Sequence, residues 1–189
     1  MYNSKISFLF VIMAFTISGC CKHNENSHDI SSPSNNISVD FFLDDHGSLN
    51  YAVAFLGQNI IDTSSMGFEF LDQPQMQSGF KIIETETSLV NEEWEMPWGE
   101  QRMVVNNYNE LIVKLQEENT PKRKLVIYFK AYDDGVGFRY EFPKQKGIDS
   151  IFIVDENTEF KLTGDHTCWW IPGDWDIYEH LYNTTKFTD

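Results

Sequence analysis

Cysteine is scarce, with three in 189 residues, at positions 20, 21 and 168. No Cys-x-x-Cys pair and no even, spaced set is present, which excludes a thiolate metal site and a disulfide framework. Basic residues are few as well: 14 Lys and Arg stand against 29 Asp and Glu, for a formal charge of −15. So acidic a surface repels phosphodiester backbones and anionic lipid heads, so nucleic-acid binding is excluded as a function class. The five histidines (His23, His28, His46, His166, His180) do not fall at metal-ligand spacing, and no H-E-x-x-H, G-x-S-x-G or P-loop occurs. Helical periodicity is nearly absent. Its single candidate is the short stretch 176–182, where Ile177, His180 and Leu181 would share a face.

The one long apolar run, residues 6–17, is too short for a confident membrane span. Lys5 precedes it, and Ile17-Ser18-Gly19-Cys20 follows. That order is the pattern of a bacterial lipoprotein signal, cleaved before Cys20, whose thiol and new amino terminus would carry lipid. An ordinary secretory signal or an uncleaved anchor is the alternative. Residues 20–38 hold almost nothing apolar and read as a flexible polar tether in the cell envelope. Cys21 falls in that tether, and Cys168, isolated among aromatics, reads as a small buried hydrophobe.

Residues 39–189 have the size of one domain. Short apolar runs recur at 39–43, 49–56, 60–61, 66–71, 81–89, 102–107, 110–115, 124–132, 136–142, 151–154 and 159–162, with Gly, Pro, Asn and Asp between them. Several alternate with period two, as in Leu49, Tyr51, Val53 and Phe55. This is the pattern of an all-β fold, an antiparallel sandwich or barrel. The clearest hairpin places Asp133-Asp134-Gly135 between 125–132 and 136–142; Asp and Gly at its turn suit left-handed backbone angles.

Chemistry is harder to find. The acidic pairs Asp44-Asp45, Glu92-Glu93, Glu117-Glu118 and Asp133-Asp134 point to opposite faces if they lie on strands. They therefore suit turns and solvated edges better than a facing catalytic couple. No catalytic residue is assigned. Trp94 and Trp98 flank a proline-bearing turn, and Trp169, Trp170 and Trp175 lie within 168–182 beside Tyr178 and Tyr182. Such rings either plug the sandwich or stack on a sugar's apolar face; Trp98, Trp170 and Trp175 are the candidates for stacking. Glu179 is either a solvated acid or an oxygen ligand for a hard cation.

A series of motifs resembles the N-terminal domain of glycoside hydrolase family 97, the α-glucosidase/α-galactosidase family of Bacteroidetes. The series begins with Asp45-His46-Gly47-Ser48-Leu49-Asn50-Tyr51, Ser65-Met66-Gly67-Phe68 and Trp94…Trp98-Gly99-Glu100. It continues with Asn107-Tyr108-Asn109-Glu110-Leu111, Tyr132-Asp133-Asp134-Gly135-Val136-Gly137-Phe138-Arg139-Tyr140 and Glu156…Thr158-Glu159-Phe160. Trp169-Trp170-Ile171-Pro172 and Tyr178-Glu179…Tyr182 complete it.

The resemblance implies a galactose-mutarotase-like β-sandwich packed on a (β/α)8 barrel that carries the catalytic carboxylates. It implies a Ca2+ ion beside an α-linked oligosaccharide substrate, with Glu179 as the sandwich's ligand to that ion. A chain ending at Asp189 would then hold an incomplete sandwich and no barrel, and would not hydrolyse glycosides alone. The competing reading is a free-standing carbohydrate-binding surface lipoprotein, and a third is an adaptor lipoprotein without sugar contact.

Overall fold

A computed structural model describes residues 27–146 and 148–188. The expected lipoprotein signal, with Cys20 and Cys21, lies outside the described residues. Among those described there are twelve strands, no helix, and no helix long and apolar enough to cross a membrane.

The first sheet has the order β1-β2-β3-β4, built from Ser27–Ser31, Ile37–Leu43, Leu49–Phe55 and Gln58–Met66. Strict alternation drives it: Ile37, Val39, Phe41 and Leu43 of β2 are buried while the residues between them are half-exposed. In β3, Leu49, Tyr51 and Val53 do the same. The expected tether is corrected at its distal end. Ser27–Ser31 pairs antiparallel with β2, and Ile30 is buried in the core. A single apolar residue among polar neighbours gives no period-two signal, so only the sheet edge beside it reveals this strand.

The second sheet has the order β6-β7-β8-β9: Phe80–Glu95, Met103–Glu117, Lys124–Ala131 and Val136–Glu141. Between the two sheets in sequence lies β5 (Phe68–Phe70), which pairs with β10 (Ile153–Glu156). The runs 102–107 and 110–115 prove to be one strand. The asparagines near that junction are held by side-chain hydrogen bonds. Asn106 donates to Glu92 at 3.2 Å and accepts from the Tyr132 hydroxyl at 3.3 Å, and Asn109 donates to the Ser31 carbonyl at 2.8 Å. Because β8 pairs only with residues 109–116 of β7, the rest of the β6–β7 pair projects as a two-stranded arm.

The core lies between the inward faces of these sheets. Leu111, Val113, Leu115, Leu125, Ile127 and Phe129 are fully buried, and the Phe41 and Phe129 rings pack at 5.7 Å between centroids. β1 packs over β7 and β2 over β8, while the Tyr51 ring of β3 meets the Phe138 ring of β9 at 5.8 Å. The stacking is therefore staggered, and β4 reaches beyond β9. This is the antiparallel all-β sandwich expected from the sequence.

Three local expectations are corrected. Residues 159–162 form no regular strand; they run beside β4 through isolated bonds, Asp62 N–H to Lys161 O at 2.8 Å and Glu159 N–H to Ser65 O at 2.9 Å. No helix forms over 176–182; two turns of apolar periodicity are too few to offset helix nucleation without a packing surface. The Asp133-Asp134-Gly135 turn contains no positive φ. It closes through Tyr132 N–H to Gly135 O at 2.8 Å, and Asp133 acts through its carboxylate instead, accepting the Ser34 N–H at 2.8 Å. That bond ties the β8–β9 turn to the β1–β2 turn across the sandwich.

Candidate functional site

The tryptophan-rich C-terminal stretch is a hairpin. Strands β11 (Thr167–Trp170) and β12 (Asn183–Lys186) pair with Cys168 opposite Thr185 and Trp170 opposite Asn183. Thr184 and Thr185 are β-branched and Trp169 and Trp170 aromatic, residues that suit a pleated strand; that was the signal available. The Trp170 indole N–H donates to the Thr185 hydroxyl at 3.2 Å, which fixes the ring across the hairpin. Cys168 is half-buried rather than enclosed, because the hairpin has no apolar layer over it.

Residues 171–182 join the two strands. Asp174 orders part of this connection: its carboxylate accepts the Asp176 N–H at 3.0 Å and faces His180 Nε2 at 3.3 Å. The Asp176 backbone N–H foremost, and then the imidazole, hold the Asp174 carboxyl below its ordinary pKa.

The candidate stacking residues are all accessible. Trp98 is 80% exposed in the β6–β7 turn, Trp170 is 45% exposed on β11, and Trp175 is 99% exposed in the connection. Trp170 and Trp175 share the C-terminal hairpin, whereas Trp98 sits at the tip of the arm. Plugging the end of the sandwich is therefore not what these rings do within the described residues. Tyr178, Leu181 and Tyr182 add to an exposed apolar surface on the hairpin.

Glu179 lies in the same connection and is exposed. A Ca2+ ion takes about six to eight oxygens, and no group of three His, Cys, Asp or Glu residues that could hold a metal occurs among the described residues. The described part does not by itself fit the ion.

A feature with no sequence signal is a cleft of about 510 Å3 between β3, β4 and β9. Its walls include Tyr51, Val53, Ile61, Phe138 and Phe160, and Asp133 and Asp134 stand at its rim. The Tyr51 hydroxyl donates to the Glu159 carbonyl at 2.7 Å. Burial foremost, and the nearby Glu159 carboxylate, push that phenol up to about 12.

The family model described as Glycosyl-hydrolase 97 N-terminal matches residues 30–189. The chain belongs to this family. Among solved structures, the family 97 domain resembles a Glycoside Hydrolase Family 97 enzyme from Pseudoalteromonas sp. strain K8, captured in complex with panose. The two are 38% identical with a TM-score of 0.76, over 84% of this chain and 24% of that one. The same enzyme is also known in complex with acarbose. A beta-arabinopyranosidase shares the fold at 21% identity and a TM-score of 0.71, over 82% of this chain and 26% of that one. A curated relative, a probable retaining alpha-galactosidase of Streptomyces bingchenggensis (strain BCW-1), is 25% identical over 123 residues, 65% of this chain and 18% of that protein. The chain thus spans about a quarter or less of the length of these relatives.

Proposed function

We propose that this family 97 domain is the N-terminal sandwich of a glycoside hydrolase acting on α-glucosides or α-galactosides, and that it supports a catalytic (β/α)8 barrel. The observation that carries this reading is the continuous family match over residues 30–189, joined to the structural likeness to an enzyme that binds panose and acarbose. Purified chain is expected to leave nitrophenyl α-glucoside and α-galactoside intact; turnover by this chain alone would refute the supporting role.

In that setting Glu179 would present its carboxylate to Ca2+, with the remaining oxygens coming from outside the described residues. Glu179→Gln in the barrel-bearing polypeptide should weaken Ca2+ binding in a calorimetric titration without changing the melting curve of the sandwich. An unchanged titration would remove Glu179 from the ligand set. We also propose lipid attachment at Cys20, holding the domain at the cell envelope; Cys20→Ala should abolish incorporation of radiolabelled palmitate.

The exposure of Trp98, Trp170 and Trp175 favours a second reading, a carbohydrate-binding surface lipoprotein that stacks sugars on these rings. Calorimetry with malto-oligosaccharides discriminates the two: heat of binding to the isolated chain supports the module, and its absence supports the sandwich that works only beside a barrel.

A further inference from the structure

Five of the chain's 14 lysines and arginines line one cleft of about 570 Å3, and no aspartate or glutamate lines it. The β7–β8 turn and the start of β8 bring Lys122, Arg123 and Lys124 to one wall. The segment following β9 brings Lys144 and Lys146 to the other. One side chain holds the two walls together. The Gln145 carbonyl oxygen accepts the Lys124 N–H at 2.7 Å, and its amide donates to the Lys124 carbonyl at 3.0 Å and the Pro143 carbonyl at 3.2 Å. Gln145 stands between Lys144 and Lys146 in sequence, so this clamp fixes both of them beside Lys122 and Lys124.

Arg123 is committed to the fold. It is 3% exposed, and its donors go to Glu117 and to the carbonyls of Pro74 and Gln75. The four lysines are placed differently. All are exposed, and none of them forms an ion pair among the described residues. Lys114, on the same sheet, is met by Glu84 and Glu86. Lys122 also stands at φ +61°, in the left-handed region that suits glycine or asparagine better. Four like charges gathered without counter-ions repel one another, and a bound anion would offset that repulsion.

The donors say which anion. An ammonium group is a compact point charge with rotatable donors, which suits the oxygens of a phosphate. The guanidinium fork that takes a planar carboxylate is already occupied by Glu117. The cleft falls within the range of about 300–1,000 Å3 found for small-molecule sites. A long polyanion would extend past it onto a surface drawn from a chain with 29 acidic residues and be repelled.

We propose that the cleft between Lys122, Lys124, Lys144 and Lys146 binds a small ligand through a diphosphate or phosphate monoester group. This site is independent of the hydrolase reading. A soluble phosphate ester and a lipid headgroup present the same oxygens to it.

Calorimetric titration of the purified chain with pyrophosphate at low ionic strength is the test, with succinate, a dianionic carboxylate, as the control. Pyrophosphate should bind at least about threefold tighter than succinate, and less tightly as salt is raised. Lys122→Asn, Lys124→Gln, Lys144→Gln and Lys146→Gln should each weaken it about twofold to fivefold, the size of one exposed ion pair. Lys161→Gln, outside the cleft, should leave it unchanged. Lys122→Asn should show its loss of binding with a urea midpoint no lower than the parent's, because asparagine tolerates left-handed angles. Glucose 1-phosphate and dihexanoyl phosphatidic acid, titrated in turn, separate the sources, and the tighter of the two names the ligand's class. No binding of pyrophosphate, equal binding of succinate, or an equal loss in Lys161→Gln would each overturn the proposal.

Discussion

At the scale of single residues, two positions hold more than their neighbours suggest. Gly47 has φ +68°, and a Cβ there would lie 2.5 Å from the Phe80 carbonyl oxygen. The turn it ends docks on the start of β6 through Phe80 N–H to Gly47 O at 3.0 Å. Gly47→Ala should therefore cost more than about 1 kcal/mol, read as a lower urea midpoint. Arg123 is 3% exposed and forks onto buried Glu117, with Nε 2.8 Å from one carboxylate oxygen. It also donates to the carbonyls of Pro74 at 2.7 Å and Gln75 at 3.1 Å. Arg123→Met strands the carboxylate and the two carbonyls, at a cost of about 3–5 kcal/mol by chemical denaturation. Adding Glu117→Leu should recover part of that loss. Arg123 did not stand out in the sequence, and Glu117 read as half of a solvated acidic pair, because Arg and Glu in a polar turn look like solvated surface.

At the scale of elements, the β6–β7 arm and the β11–β12 hairpin carry the exposed tryptophans, and of these Trp98 and Trp175 lie outside the strand ladders. The arm tip is held by backbone and ionic contacts, Met96 N–H to Arg102 O at 2.8 Å and Arg102 Nε to Glu95 at 2.8 Å. Trp98→Ala and Trp175→Ala should each move stability by no more than about 0.5 kcal/mol, while acrylamide quenching of the remaining fluorescence falls. A large loss of melting temperature in either variant would mean that the ring is packed. The sequence showed the hairpin's composition but not its pairing. Register depends on which strand lies opposite, and Cys168 meets Thr185 across a gap that no local pattern spans.

At the scale of the whole molecule, the core is a layer of aromatic and aliphatic side chains whose polar tips are enclosed. Burial, as its main cause, raises the phenol of Tyr51 to about 12 and that of Tyr140 above its ordinary range. A pKa raised in the folded state means the unfolded chain loses these protons first. Their contribution is complete below about 10, the unfolded tyrosine value, and is lost as pH climbs toward 12. Circular dichroism across that window should show alkaline unfolding, with part of the tyrosinate absorbance appearing only as the fold is lost. If all tyrosines ionised before any loss of structure, the buried phenols would be misassigned.

The sequence by itself determined the fold class, because period-two alternation and turn residues act between near neighbours. It also determined the family likeness, whose motifs include turns such as that at Gly47 and the Asp133-Asp134-Gly135 hairpin. Only the tertiary structure decided that Ser27–Ser31 is a sheet edge, that the tryptophans face solvent, and that β9 ends its sheet over an open cleft. Each of those depends on what lies across a sheet or between two sheets, and distance along the chain carries no information about it.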